Sequence, residues 1–340
     1  MQRLSREPVG ILARALCWGP LVLALVAMAI LWFAVDRIWW TLLFGYGPRW
    51  VWWPLIVLPI FARCGRRERA AATVLTIGVI IFGLQGFQFP LGRAAPATGS
   101  AGSATLRLIT FNAAIRATAF EQALGLAARD SADVLIVVEC PTFRAEAIAR
   151  YRTIGVVRKG EVCAWQRSNR PLDIRLAERP VQEIGWSGTI GVVRGIDGVA
   201  GPIGVVHLRS VRNEMSEFLD VSELFGQTDS MAARQEKRIG GSRFASRWLA
   251  SDASGRPALV VGDFNLVRES AVFRRDWGAW RDAFSAAGLG FGHTWSSSWY
   301  GLRIDHVLTN KSWSVRAVRV GPDLGSDHRP VIADLVPEQP

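Results

Sequence analysis

The sequence is poor in the residues that build zinc sites and disulfide frameworks. Among its 340 residues there are only four cysteines and four histidines, and no CxxC pair occurs. Structural zinc sites use closely spaced cysteines and histidines, so the sequence disfavours a zinc-binding fold. Cys17 and Cys64 lie in or beside apolar segments, whereas Cys140 and Cys163 belong to predicted strands. The second pair can form a disulfide if this part of the chain lies outside the cytoplasm, and otherwise both are free thiols.

A broad basic face is also lacking, although the net charge is +11. Residues 1–103 carry +7 of that charge, from ten arginines against Glu7, Asp36 and Glu68, which leaves +4 for all the rest of the chain. Most of the basic charge therefore flanks apolar segments, as in a membrane protein, instead of forming a nucleic-acid-binding surface. Only three of the forty basic residues are lysines. Together with the abundant alanine, this bias indicates a GC-rich bacterial genome.

Long apolar runs in the first ninety residues predict a membrane region over residues 1–92, with three transmembrane helices at about 15–35, 48–62 and 70–90. The first and third have the roughly 20 residues that a bilayer span requires. The middle run is short, so it either spans the membrane or forms a re-entrant or surface-lying segment. Four arginines between residues 63 and 69 place the loop after the middle run, and the N-terminus, in the cytoplasm. Three spans then put the following domain outside the bacterial inner membrane; two would put it inside.

Small and polar residues at 93–104 predict a flexible linker, and residues 105–340 have the composition of a soluble α/β domain. Apolar runs predict strands at 106–112, 132–140, 161–166, 191–194, 204–208, 258–265 and 302–308. Helices are predicted at 117–130 and 230–250, and Trp277 and Trp280 fall in a predicted loop.

Polar side chains follow these apolar strands at the points where the strands end. They are Asn112, Glu139, His207, Asp263 with Asn265, Asp305, and Asp327 with His328. A carboxylate after a buried strand, such as Glu139, is costly to bury unless it is paired or binds a cation. Each residue alone has a plainer interpretation, Glu139 as a solvated strand end and His207 as a core histidine. Strand ends from distant parts of a sandwich can gather at one edge, so the recurrence favours a single site.

The order of these motifs resembles the endonuclease/exonuclease/phosphatase superfamily, whose fold is like that of deoxyribonuclease I. The resemblance rests on TFN (110–112), VVEC (137–140), VVHL (205–208), GDFN (262–265), RIDHVL (303–308) and SDHRPV (326–331). It implies a four-layered α/β sandwich, in which two mixed β-sheets are flanked by helices, preceded here by the N-terminal transmembrane region. It also implies Mg²⁺-dependent cleavage of phosphate esters, with Mn²⁺ as an alternative ion.

The resemblance assigns a role to each candidate. Glu139 would be the Mg²⁺ ligand with Asn112 beside it, since hydrated Mg²⁺ needs only one or two carboxylates. Asp263 would orient or deprotonate the attacking water, and Asn265 would position water or phosphate. His328, held by Asp327, would donate to a phosphoryl oxygen. His207 would contact a non-bridging oxygen or protonate the leaving oxygen, and Asp305 would support a histidine. His306 should project away from the site.

Three classes of function fit this pattern. The leading prediction is a membrane-anchored, extracytoplasmic phosphodiesterase or nuclease. The alternative is a phosphatase or a phospholipid phosphodiesterase of the sphingomyelin type, because the membrane helices would bring the site close to lipid. A non-catalytic anchored binding module on the same fold is the third. The predicted partners are a phosphate-ester substrate and the membrane, and no motif indicates a protein partner.

Overall fold

The computed structural model describes residues 7–89, 105–143, 153–159, 161–167, 175–180, 189–194, 202–211, 228–253 and 258–338. The chain divides into two compact units. One comprises Met1–Phe87 with Glu269–Ala271, and the other comprises Gln88–Arg268 with Val272–Pro340. The predicted boundaries at residues 92 and 104 remain predictions.

The first unit is helical. Helices α1 (Glu7–Phe33), α2 (Leu42–Tyr46) and α3 (Arg66–Gly78) are joined by 3₁₀ turns at Trp39–Thr41, Arg49–Ile56 and Leu58–Phe61, and α3 continues as a π-helix over Val79–Leu84. In the part of the chain that the structure describes, one helix, Gly10–Phe33, is long and apolar enough to cross a membrane. The 3₁₀ turns at Arg49–Phe61 form a shorter apolar segment. The predicted spans at 48–62 and 70–90 therefore remain predictions.

The second unit contains two six-stranded sheets. Its strands are β1 (Leu106–Asn112), β2 (Val134–Val138), β3 (Thr153–Lys159), β4 (Val162–Arg167), β5 (Arg175–Pro180), β6 (Thr189–Arg194), β7 (Ile203–His207), β8 (Leu259–Asp263), β9 (Arg281–Asp282), β10 (Trp295–Ser296), β11 (Gly301–Leu302), β12 (Asp305–Thr309), β13 (Trp313–Val320) and β14 (Val331–Pro337). The first sheet has the order β13-β14-β1-β2-β4-β3, and the second has β5-β6-β7-β8-β12-β9. Both are mixed, because β1–β2 and β7–β8 pair parallel while the other neighbours pair antiparallel.

Apolar side chains bury the two sheets against each other and against the helices. One cluster joins both sheets, for example through Leu108 and Val134 of the first sheet and Val205 and Val261 of the second. Helix α4 (Ala117–Arg129) packs on the outer face of the first sheet through Phe120 and its neighbours. Helices α5 (Thr228–Asp252) and α6 (Ala271–Trp277) contribute to a third cluster on the second sheet, and α7 (Ala283–Ala287) completes the unit. The predicted four-layered α/β sandwich is confirmed.

Two local predictions differ from the structure. Trp277 ends helix α6 instead of lying in a loop, and it is fully buried, because its ring packs edge-on against Phe264 at 4.8 Å. The predicted strand at 302–308 is divided in the structure, because β11 ends at Leu302 and β12 begins at Asp305. The inward position of Leu249 on α5 is confirmed, whereas the side chain of Met231 lies outside the described residues.

Candidate active site

Strand alternation aims the predicted polar residues at the space between the sheets. Successive side chains of a strand point to opposite faces. In β8, Leu259 and Val261 face the other sheet, so Asp263 does too. The same parity puts His207 of β7 and Asp305 of β12 on that inner face, in line with Val205 and Val307.

Strand register then gathers these residues at one end of the sandwich. His207 pairs with Asp263 across β7–β8, and Asp305 pairs with Asp263 across β8–β12. In the other sheet, Asn112 pairs with Val138, the residue before Glu139. The parallel pairs β1–β2 and β7–β8 both end at this edge. The C-terminal ends of these four strands therefore bring their polar side chains to one place.

Unusual backbone conformations surround the site. Glu139 and Asn265 have φ of +47° and +48°, and Ala114 and Ile115, beside Asn112, have +49° and +58°. Non-glycine residues rarely adopt this left-handed region, and such positions concentrate at functional sites. The turn redirects Glu139, whose strand parity would otherwise point it towards the outer helix layer. Gly262 has φ +128°, and a Cβ there would lie 2.1 Å from the Val206 carbonyl oxygen, so the position before Asp263 requires glycine.

Asn112 links the carboxylates of the two sheets. Its Nδ2 donates to Glu139 Oε1 and to Asp263 Oδ2, both at 3.1 Å. Its Oδ1 accepts a hydrogen bond from the Ala114 N–H at 2.8 Å, which fixes the orientation of the amide. Asn265 makes a second connection to Asp263, since its N–H and its Nδ2 donate to the two carboxylate oxygens at 2.8 and 3.1 Å.

His207 lies between two carboxylates. Its Nε2 is 3.2 Å from Glu139 Oε1, and its Nδ1 is 3.1 Å from Glu161 Oε2. Burial lowers the pKa of His207, but the hydrogen bonds to Glu139 and Glu161 outweigh it and raise the pKa to about 10. The hydrogen bond from His207 in turn holds the pKa of Glu139 below its usual value, against the opposing effect of burial.

The partner of His328 is Asp305, which corrects the prediction that Asp327 holds this histidine. His328 Nδ1 lies 2.8 Å from Asp305 Oδ2, and its Nε2 lies 3.8 Å from Asp263 Oδ2. The carboxylate of Asp327 instead accepts a hydrogen bond from Trp295 Nε1 at 3.2 Å. Because Asp305 lies in β12 and His328 lies in the loop before β14, their pairing depends on tertiary structure, whereas Asp327 is only the sequence neighbour. The prediction that Asp305 supports a histidine agrees with this geometry.

The carboxylates and His328 perturb one another. Burial and then the charge of Asp305 raise the pKa of Asp263 to about 6. Burial lowers the pKa of His328, but the charges of Asp305 and Asp263 outweigh it and raise the pKa to about 9. At neutral pH the site therefore holds an ionised Asp263 beside a protonated His328, a combination suited to acid–base chemistry.

A cation could bind at two places in the site, which we call the first and the second group: at Glu139, next to Asn112, or among Asp263, Asp305 and His328. Glu139, whose side chain is 29% exposed, is accessible and offers hard oxygen ligands. Asp263, Asp305 and His328 form the other group, with ligand atoms within 4.8 Å of one another, and all three are buried. An ion in the second group would compete with the existing Asp305–His328 hydrogen bond, so the first group fits a hydrated Mg²⁺ better.

Sequence reasoning missed three residues that hold the site together. Glu161 contacts His207, Ser326 Oγ donates to the Asn112 carbonyl oxygen at 2.8 Å, and Thr294 Oγ1 accepts from the Asp305 N–H at 3.0 Å. Glu161 stands at the start of a predicted strand, so a search of strand starts as well as strand ends would have found it. Ser326 belongs to the SDHRPV motif but was assigned no role, and Thr294 acts through a backbone contact that leaves no pattern in the sequence.

His306 projects away from the site. Its ring packs with Phe273 at 4.6 Å and Phe264 at 5.3 Å, and its Nε2 lies 2.9 Å from the Leu266 carbonyl oxygen. Burial lowers its pKa. His306 is therefore a core residue, and removing its ring would leave a cavity.

Comparison with known proteins agrees with this architecture. Residues 165–328 match the profile of the Endonuclease/Exonuclease/phosphatase family. Similar solved structures include a 3′ phosphatase from Neisseria bound to a product DNA hairpin (19% identity, 67% of this chain and 98% of that chain, TM-score 0.50). Others are a 3′–5′ exonuclease from Neisseria meningitidis (19%, 67% and 98%, TM-score 0.49) and an endonuclease/exonuclease/phosphatase family protein from Bacteroides thetaiotaomicron (15%, 70% and 100%, TM-score 0.49). No curated protein matches the sequence significantly.

The two six-stranded sheets and the gathered strand ends define an α/β sandwich with a polar site at one edge. The match over residues 165–328 agrees with the resemblance to the endonuclease/exonuclease/phosphatase superfamily that the motifs indicated.

Proposed function

We propose that this chain is a membrane-anchored hydrolase of phosphate esters that depends on a divalent cation, specifically a Mg²⁺-dependent phosphodiesterase or endonuclease. The observation that carries the proposal is the convergence of polar side chains at one end of the two sheets, namely Asn112, Glu139, His207, Asp263, Asn265, Asp305 and His328. Hydrophobic packing does not account for this cluster, because buried polar groups are costly even when they pair with one another, and clusters of ionisable groups with perturbed pKa values concentrate at functional sites.

Glu139 would hold the cation. Asn112 could add a second oxygen only after a half-turn of its amide, because its Oδ1 now accepts from Ala114 and its Nδ2 faces Glu139. When bound, the ion would neutralise charge on the phosphate and polarise its oxygens. Mn²⁺ would suit the same oxygen ligands.

Asp263 would orient the attacking water and accept its proton. It is ionised above a pKa of about 6, and the Asn112 and Asn265 amides fix its carboxylate. As the water oxygen bonds to phosphorus and the ester P–O bond breaks, negative charge grows on the phosphoryl oxygens. His328, protonated and held by Asp305, would donate to one of them. His207, protonated between its two carboxylates, would donate to a non-bridging or leaving oxygen.

The exposed apolar surface of the N-terminal unit supports anchoring of the protein in a membrane. Membrane anchoring in turn makes lipids a second class of candidate substrate. Only 28% of the apolar window in Gly10–Phe33 is buried, and side chains such as Ile11, Val22 and Phe33 are exposed. Large exposed apolar surface is typical of contact with lipid or a partner. A protein held at a bilayer could take its phosphate ester from that bilayer, so a phosphatase or phospholipid phosphodiesterase is the second candidate.

A substrate panel tests the proposal. The full-length protein in detergent is incubated with single- and double-stranded DNA, RNA, sphingomyelin, phosphatidylcholine and sugar phosphates, with Mg²⁺, with Mn²⁺ and with a chelator. We expect cleavage of one class with either metal and none with the chelator. A Glu139→Gln variant should need a higher Mg²⁺ concentration for half-maximal rate. Metal-independent cleavage, or a Glu139→Gln variant with unchanged Mg²⁺ dependence, would contradict the metal assignment.

A further inference from the structure

A disulfide lies directly beside the proposed metal ligand. Cys140 follows Glu139, and its partner Cys163 lies two residues after Glu161. Their Cα atoms are 5.8 Å apart. Glu139 and Glu161 are the two carboxylates that contact His207, at 3.2 and 3.1 Å. The disulfide therefore joins the two chain segments that hold this histidine.

The strand ladder between these segments ends before it reaches the two glutamates. The β2–β4 pairing runs from Val134 only as far as the pair Val137–Cys163. Beyond it, the Cys140 N–H donates to the Glu161 carbonyl oxygen at 2.9 Å, and the next residue is Pro141, which has no N–H to donate. The disulfide thus adds a covalent link at the point where regular pairing stops.

The residue next to the disulfide, Glu139, has a costly backbone conformation. Glu139 has φ +47°, a region that non-glycine residues adopt only when their surroundings enforce it. A covalent link at the next residue limits the freedom of this turn to relax to extended backbone. Relaxation would return the Glu139 side chain towards the outer face of the first sheet, away from Asn112 and His207.

We propose that the Cys140–Cys163 disulfide is a positioning element of the site: it holds Glu139 and Glu161 against His207 and so sets the affinity for the divalent cation. This inference rests on the proposed function, because it assigns Glu139 to the cation. Reduction by a dithiol breaks the S–S bond. The dithiol gives two electrons and two protons, Cys140 and Cys163 become thiols, and the dithiol itself becomes a disulfide.

The test uses full-length protein in detergent in a Cys17→Ala/Cys64→Ala background, so that Cys140 and Cys163 are the only cysteines. Mg²⁺ binding is measured by calorimetry without substrate, before and after reduction with dithiothreitol, and after reoxidation. A Cys140→Ala/Cys163→Ala variant in the same background provides a reduced form without thiols. We expect reduction and the double substitution to raise the Mg²⁺ Kd by about 10- to 100-fold, the range for losing a group that orients a metal ligand, and reoxidation to restore it.

Hydrogen–deuterium exchange separates positioning from general stabilisation. The Cys140 and Ile115 amides, which bond to the Glu161 and Glu139 carbonyl oxygens, should exchange faster after reduction. The Leu208 amide, which bonds to the Asp263 carbonyl oxygen across the site, should be unchanged. An unchanged Mg²⁺ Kd, or an equal increase in exchange at all three amides, would overturn the proposal. Oxidised protein that binds Mg²⁺ in a disulfide-dependent way but cleaves no substrate would instead overturn the proposed function alone.

Discussion

At the scale of single residues, the buried carboxylate of Asp263 is the centre of the proposed chemistry. Asp263→Asn keeps the size of the side chain but removes its charge and its ability to accept a proton. We expect kcat to fall by at least ~10²-fold, the usual contribution of a positioned general base. Asp334→Asn is the matched control, because Asp334 pairs with Arg107 at 2.7 Å in β14, away from the strand ends that carry the site.

Steady-state kinetics on the responsive substrate would check this prediction, with thermal unfolding to show that both variants fold. An Asp263→Asn variant as active as Asp334→Asn would remove Asp263 from the mechanism. The double variant Asp263→Asn/His328→Gln should lose less than the product of the single losses, because residues that act as one unit are not additive.

The pairing of His328 with Asp305 leads to a prediction about pH. The pKa of His328 is raised to about 9, so the imidazolium is present below that pH and is lost as the pH rises through it. We expect kcat/KM to fall on the alkaline side near pH 9. Asp305→Asn removes the largest raising influence on this pKa and should move the alkaline limb to lower pH, whereas Asp327→Asn should move it much less.

The pH profile of kcat/KM for the two Asp→Asn variants checks which carboxylate supports His328. If the alkaline limb shifts more in Asp327→Asn than in Asp305→Asn, then Asp327, and not Asp305, supports His328.

These two aspartates also show what sequence can and cannot predict. The motifs identified both aspartates and the histidine, but adjacency suggested the wrong pair. Only the approach of β12 to the loop before β14 brings Asp305 to His328.

At the scale of elements, the strand ends were predictable because apolar runs and their polar termini are local features. The runs at 106–112, 204–208 and 258–265 became β1, β7 and β8, each with its polar residue at the predicted end. The inward direction of Asp263 and the outward direction of His306 follow from strand parity. Sheet order was not predictable from these patterns, since β8 lies between β7 and β12 through pairings of distant segments. The resemblance to a known family supplied the two mixed sheets and the outer helices, but not the order of the strands.

The end of β8 depends on one glycine, which gives a prediction at this scale. Gly262→Ala places a Cβ 2.1 Å from the Val206 carbonyl oxygen at φ +128°, so the strand end that carries Asp263 must shift. We expect a loss of more than ~1 kcal/mol in the free energy of unfolding together with a fall in kcat. Gly240→Ala is the matched control, because a Cβ there meets nothing within 4 Å on the exposed face of helix α5. That change should stabilise the protein by roughly 0.5–1 kcal/mol.

Chemical denaturation and kinetics on both glycine variants check the comparison. A Gly262→Ala variant with wild-type stability and activity would show that the β7–β8 edge can move without disturbing the site. Both variants add one methyl group, so a difference in stability between Gly262→Ala and Gly240→Ala reports the backbone geometry and close contacts at residue 262.

At the scale of the whole molecule, the four cysteines connect redox chemistry with membrane topology. Cys140 and Cys163 form a disulfide, whereas Cys17 and Cys64, with Sγ atoms 2.8 Å apart, are free thiols. Disulfides persist in oxidising compartments and are rare in the cytosol. Three spans would place the second unit outside the cytoplasm, where the disulfide is stable, and two spans would place it inside, where the disulfide would be reduced.

Topology can therefore be measured in two independent ways. Alkaline phosphatase fused after Gly102 should be active in a bacterial host, because that enzyme requires export, and a cytoplasmic reporter at the same position should be inactive. Thiol-blocking of denatured, unreduced protein from whole cells should then modify two cysteines, Cys17 and Cys64, and leave Cys140 and Cys163 unmodified. An inactive phosphatase fusion with four modified cysteines would place the unit in the cytoplasm and reduce the number of spans to two. An active fusion with four modified cysteines would confirm the topology but show that Cys140 and Cys163 are not linked. That result would contradict the proposal that their disulfide positions Glu139.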